Sequence, residues 1–405
     1  MASIGSTSQG RCFRTRSSIT TRGAHMSFDV EKVRDVAAAQ LNGDPEAGAG
    51  LCVYVDGTAV LDETWGLADA EAGAPYTAQT LQIIQSMGKG VIAAVAALLI
   101  GRGQLDPEAP VASYWPGFGT ADKRGITVSQ LLSHQAGLLY LDDTMPLALT
   151  ADRERLAAAL VAQAPEWEPG TRIGYSPQTV GNYADFLFEY ASGHGFAELL
   201  REINDALGTG MHVGLPAGQR HRAARVLAAP GDAVAGVTPE LAAAFADPDS
   251  VQSRVLRNIP ETLPDPIPAV NGEAIRDAFL PGANMFAAAR DLAHLYEELS
   301  APLRGGDSLL WNRDALQVAT AERARGVDAL ILEETAFALA FQKPSSTYPL
   351  ARSPRAFGHG GAGGSLAMAD PDAGFALCWI PTRYGSAHFD PRQAAILDAV
   401  YAALD

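Results

Sequence analysis

Apolar residues recur at helical spacing over residues 28–41, 126–133, 151–163, 179–190, 196–207, 285–299 and 391–404, and each stretch is predicted to form a helix. Alternation rich in β-branched and aromatic residues marks strands at 50–54, 59–65, 336–341, 364–369 and 375–380. The first two flank Asp56-Gly57, a dipeptide favoured in tight hairpin turns because both positions tolerate positive φ. The last two flank Asp370-Pro371-Asp372-Ala373-Gly374. Residues 103–118 are too rich in Pro and Gly for regular structure, and 214–275 has little periodicity and many prolines. The second of these segments is expected to run over the surface as a lid or substrate wall. Strands at both ends with helices between them predict an α+β fold, in which the terminal strands pair into one antiparallel sheet flanked by helices. On this reading 27–85 and 285–405 build the sheet part. Residues 86–284 form a large, mostly helical inserted part carrying the lid-like segment, and the active site lies between the two.

The stretch 81–105, LQIIQSMGKGVIAAVAALLIGRGQL, carries the chain's most pointed chemistry. Ser86 and Lys89 leave the same face of the first turn of an apolar helix. Burial would drive the lysine pKa down until the amine can accept a hydroxyl proton, and the helix start favours developing negative charge. The same four residues also fit a serine capping a core helix beside a lysine that snorkels to water. A second constellation is Gly174-Tyr175-Ser176-Pro177. Its tyrosine can act as acid and base if a cation such as Lys89 stabilises the phenolate; it also fits a ring packed under a turn.

The third is Gly358-His359-Gly360-Gly361-Ala362-Gly363-Gly364-Ser365. It matches G-x-G-x-x-G, but these glycines lead into a short apolar segment and a hairpin rather than a helix, which excludes a dinucleotide fingerprint. Gly363-Gly364-Ser365 likewise lacks the strand-to-helix context of a nucleophile elbow. What such glycines do offer is bare backbone, close enough to donate an N–H to an acyl oxyanion. His134, His194, His212, His221, His294 and His388 show no metal-ligand spacing and are assigned no role.

Net charge is −16, and the first 26 residues carry four arginines and no acid, so the remainder stands at −20. Such a body repels phosphate backbones, which excludes nucleic acid as a partner. No uninterrupted apolar run reaches about 18 residues, so no membrane span is expected. Cys12, Cys52 and Cys378 form no disulfide framework and no zinc cluster, which fits a reducing compartment. Residues 1–26 lack the hydrophobic centre of a secretory signal, and Gly23-Ala24-His25-Met26 reads as the scar of an appended tag. A cytoplasmic location is the expectation.

Ser86-Met87-Gly88-Lys89, Tyr175-Ser176-Pro177 and His359-Gly360-Gly361, in that order, resemble the S-x-x-K superfamily of serine β-lactamases and penicillin-binding proteins. Tyr114-Trp115-Pro116, the run from Leu131 to Leu138, and Gly214-Leu215-Pro216 are similar to its class C β-lactamase-like hydrolases, which include the family VIII carboxylesterases. The likeness extends over about residues 28–402. It implies that Ser86 is acylated, that Lys89 activates it, and that Tyr175 relays the proton to the leaving group and later deprotonates the incoming nucleophile. It also implies an oxyanion hole from the backbone N–H groups of Ser86 and Ala362, each worth on the order of 3 kcal/mol, and substrate contacts from His359, Gly360 and Gly361. No metal or cofactor is implied. Two departures narrow the substrate: Pro177 stands where class C β-lactamases have asparagine and cannot hydrogen-bond an acylamino side chain, and His359 stands where they have lysine, which weakens a carboxylate anchor. A small-molecule ester or amide is expected, its acyl group passing to water, as in an esterase, or to an amine or alcohol, as in intracellular transacylases of this fold. A β-lactamase or D-amino-acid peptidase is the alternative, and a non-catalytic binder of acyl compounds is the alternative from another class.

Overall fold

The computed structural model describes residues 28–120, 122–229, 238–263, 265–385 and 389–405; the leader at 1–26, with Cys12, and His388 lie outside them. In chain order the strands are β1 (Gly48–Val55), β2 (Thr58–Asp69), β3 (Ala74–Pro75), β4 (Gln82–Ile83), β5 (His212–Val213), β6 (Met285–Ala287), β7 (Ala324–Val327), β8 (Glu334–Phe337), β9 (Phe357–Gly361), β10 (Ser365–Asp370) and β11 (Phe375–Pro381). Six of them form one antiparallel sheet in the order β3-β2-β1-β11-β10-β9. The first long strand therefore pairs with the last, Gly50 opposite Ile380 and Cys52 opposite Cys378.

Local chemistry accounts for the turns. Asp56 and Gly57 take φ of 45° and 84°, the mirror-image geometry that matches strand twist in a two-residue hairpin. Between β10 and β11, Asp370 Oδ1 accepts from the N–H groups of Asp372 and Ala373 at 3.0 and 3.2 Å, and Gly374 closes the turn at φ 74°.

Alternate side chains of the central strands point to opposite layers. Leu51, Val53, Leu366, Leu377 and Trp379 pack on Val33, Ala37, Ile396 and Val400, from the terminal helices Val30–Ala39 and Pro391–Leu404. Cys52, Ala367, Ala376 and Cys378 face the other way, onto the helix Ala289–Ser300 through Leu292 and Tyr296. Beyond it lies the helix Gly88–Gly101, buried from Gly88 to Leu99 among the helices Thr179–Ser192, Phe196–Leu207 and Arg313–Thr320. A helix apolar on every side belongs inside a core, and no helix of the described residues is long and apolar enough to cross a membrane.

The structure departs from the expected elements in four places. Met285–Ala287 is extended, not helical, because it pairs with β4 on one side and β5 on the other; the helix begins only at Ala289. The strand expected at 336–341 is Glu334–Phe337, hairpinned with β7, after which Ala340 turns at φ 57°. The stretch 103–118 holds a short helix, Val111–Tyr114. Among the described residues of the 214–275 segment four short α-helices form, Pro239–Ala246, Val251–Arg257, Pro266–Asn271 and Glu273–Asp277, the first three capped by the side chains of Thr238, Ser250 and Asp265. Each is too brief to build a periodic signal.

Candidate active site

Ser86 stands in the 3₁₀ turn Gln85–Met87 that runs directly into the helix Gly88–Gly101. Two features hold this turn. Ile84 N–H donates to the Met285 carbonyl at 2.8 Å, and Gln85 takes a left-handed φ of 50° while its amide donates to Tyr384 OH at 2.6 Å. A non-glycine residue at positive φ is backbone strain that its surroundings must maintain.

Lys89 is fully buried one turn on, its Nζ 3.2 Å from Ser86 Oγ. The same Nζ donates to the carbonyls of Pro177 and Gly282, each at 2.8 Å. Burial drives its pKa well below 10.5. A neutral amine has two N–H bonds and one lone pair. With both N–H bonds taken by carbonyls, the lone pair is left for the Ser86 hydroxyl proton. Gly282 can come this close because it abuts Gly181, where a Cβ would fall 2.4 Å from the Gly282 nitrogen.

On the other side of the serine, Tyr175 OH donates to Ser86 Oγ at 2.7 Å. Burial raises the Tyr175 pKa, only partly opposed by this hydrogen bond, so the group is a phenol. The sequence left open a phenolate held by a Lys89 cation; desolvation instead presses both groups toward their neutral forms. The result is an ordered chain from phenol to hydroxyl to amine.

The third motif arrives on β9. Ser86, Tyr175, His359, Gly360, Gly361 and Ala362 line one cavity of about 290 Å³, with Lys89 beneath it. The strand passes so close to the nucleophile turn that a Cβ on Gly361 would lie 2.8 Å from the Ile84 carbonyl oxygen, and one on Gly360 would lie 1.8 Å from Tyr348 OH. His359 is buried, with Nδ1 2.6 Å from its neighbour's carbonyl, Gly360 O. A carbonyl only accepts, so the proton is assigned to Nδ1.

Sequence reasoning missed two supports. Asp328, completely buried, accepts the Tyr175 N–H at both carboxylate oxygens, at 3.1 and 3.0 Å, and Oδ1 also accepts from the N–H groups of Leu330 and Ile331. Nothing in its local sequence distinguishes it from a surface acid. His134, given no role above, is buried with its ring edge-on to Tyr175 at 5.0 Å, and its Nδ1 lies 2.8 Å from Ser176 Oγ. Desolvation keeps this imidazole neutral. Its signal was position, in a phrase shared with the class C-like hydrolases.

The overall architecture is that of penicillin-binding proteins and β-lactamases. A family VIII carboxylesterase superposes with a TM-score of 0.81 at 30% identity, covering 92% of this chain and 97% of that one. A penicillin-binding-protein homologue from Caulobacter crescentus does so at 0.79 and 31% identity, with 92% and 97% covered. In sequence, the Esterase/beta-lactamase LipL of Mycobacterium tuberculosis is 32% identical over 359 residues, 85% of this chain and 79% of that protein. The profile of the Beta-lactamase family matches residues 34–401, and the chain belongs to that family.

Proposed function

We propose that this protein is a serine acyl-enzyme hydrolase of small, uncharged esters or amides, a carboxylesterase in its simplest use. The observation that carries this reading is the hydrogen-bonded order Tyr175–Ser86–Lys89 opening into a cavity walled by the glycines of β9. As Ser86 Oγ attacks the carbonyl carbon, its proton passes to the Lys89 lone pair. The oxyanion is met by the backbone N–H groups of Ser86 and Ala362. On collapse the alcohol leaves with a proton from Tyr175, which the Lys89 ammonium replaces. Water, or an amine, then repeats these transfers in reverse and takes the acyl group.

Among the described residues lining the cavity there is no Lys or Arg. An uncharged substrate fits that wall better than a penicillin or a peptide stem, whose carboxylate asks for a cation. The name of the similar family VIII carboxylesterase points the same way, while that of LipL covers both esterase and β-lactamase. The test is a fluorophosphonate probe together with a chromogenic ester. Wild type is expected to be labelled and to release acid, and Ser86→Ala to do neither; labelling that survives in Ser86→Ala would overturn the assignment. Adding an amine acceptor and assaying for amide product separates transfer from hydrolysis.

A further inference from the structure

A second cavity, of about 300 Å³, abuts the catalytic one. Ile331 lines both, and Pro177, whose carbonyl holds Lys89, forms part of the new wall. The rest is dominated by Leu241 and Phe245 from the helix Pro239–Ala246 and by Val255 and Leu256 from the helix Val251–Arg257.

Leu241 and Phe245 are four residues apart and so share one helix face. That helix buries none of its residues completely, although an apolar face of this kind is normally covered. One acceptor in the wall, Gln178 Oε1, is buried with no hydrogen-bond partner among the described residues and can take one uncharged donor; the rest of the polar lining does not contradict an apolar occupant. The Gln252 amide is turned away, donating to the carbonyls of Ala329 and Leu330 at 2.7 and 3.0 Å. Glu333 is the acid in the wall, with no Lys or Arg among the described lining residues, so a carboxylate end is disfavoured. Pro177, the position where class C β-lactamases have a polar asparagine, presents a hydrocarbon surface instead.

We propose that this cavity is the acyl pocket of the Ser86 site and selects esters with an uncharged, apolar acyl chain of medium length, a proposal that rests on Ser86 being the acylated residue. At about 30 Å³ per heavy atom, the share of a water in the liquid, its volume holds a chain of roughly six to ten atoms. Each methylene withdrawn from water strengthens binding by about fourfold.

The experiment is a series of p-nitrophenyl esters from acetate to decanoate, with wild type, Leu241→Trp, which fills the pocket, and Leu256→Asp, which charges a half-exposed part of its wall. In wild type kcat/KM is expected to rise by at least about tenfold from acetate to octanoate, within the range set by a few buried methylenes. The octanoate-to-acetate ratio should drop by about the same factor in both variants. In parallel, Ser86→Ala protein is titrated with methyl octyl ketone and with acetone, neither of which needs turnover. Binding of the long ketone, weakened when Leu241→Trp is added, supports the pocket. Turnover with a flat chain-length profile, or a ratio unchanged in both variants, overturns the pocket and leaves the Ser86 chemistry standing. Long-ketone binding by a protein that hydrolyses none of the esters overturns the Ser86 chemistry and leaves the apolar site.

Discussion

At the scale of single residues, the site turns on whether one amine is neutral. Lys89 has its two N–H bonds spent on the Pro177 and Gly282 carbonyls and a pKa pressed well below 10.5 by burial. Lys89→Ala is expected to slow acylation by at least about 10²-fold, as when a general base is removed. Lys89→Arg should be as damaging, because a guanidinium keeps its proton throughout the accessible pH range; stopped-flow acylation close to the wild-type rate in either variant would refute the role. The pH profile follows from the same directions. A base must be unprotonated, so kcat/KM should fall as pH drops through the lowered Lys89 value. Tyr175 must keep its proton, and its raised pKa holds the rate level past the ordinary phenol value of 10.0. A profile still climbing at pH 10.5 would mean that Lys89 is not depressed. The residue types and order of this trio were legible in the sequence because S-x-x-K fixes two of them on one helical face. Their charge states were not, because burial depends on Gly181, Gly282 and the rest of a fold that a spacing pattern does not contain.

At the scale of elements, two strands and a hairpin decide where the trio sits. β9 can lie against the nucleophile turn only without a side chain at Gly361, where a Cβ would meet Ser365 Oγ at 2.3 Å and the Ile84 carbonyl at 2.8 Å. Gly361→Ala is therefore expected to cut kcat/KM by at least about tenfold while leaving the protein folded, since overpacking at one site costs typically about 1–3 kcal/mol. Full activity with an unchanged circular dichroism spectrum would mean that the strand has room to move. Asp328, at the end of β7, ties the Tyr175 backbone from a distant part of the chain. Asp328→Asn keeps the shape but offers one acceptor oxygen in place of two. It should slow fluorophosphonate labelling of Ser86 in folded protein, with KM changed less than kcat; equal labelling rates would make Asp328 purely structural. Long elements with clear period, such as Thr179–Ser192 and the β10–β11 hairpin, were predictable from pattern. The two- and three-residue strands β4, β5 and β6 were not, because partners far off in sequence, rather than any local preference, make them extended.

For the whole molecule, the pairing of β1 with β11 closes the chain on itself, and the proposed active site depends on that closure. Ser86 follows the first strands, whereas His359, Gly360 and Gly361 belong to the strand two places beyond β11. The two faces of the sheet pack against different helices. Trp379 sits in the layer facing the terminal helices, completely buried and in register with Leu51 on one side and Leu366 on the other. The adjacent Cys378 faces the helix Ala289–Ser300, on the side of the nucleophile helix. Trp379→Ala removes the largest side chain of the outer layer and should cost about 3–5 kcal/mol, read as a lower denaturant midpoint with the slope unchanged. The proposed site lies on the opposite layer, so kcat per folded molecule at low temperature should stay within about twofold of wild type, since a site keeps its rate while its own contacts survive. A variant that kept its midpoint but lost kcat would show that the terminal-helix layer shapes the site directly. The expected division, stability from one face and chemistry from the other, is what a sheet buried on both sides allows.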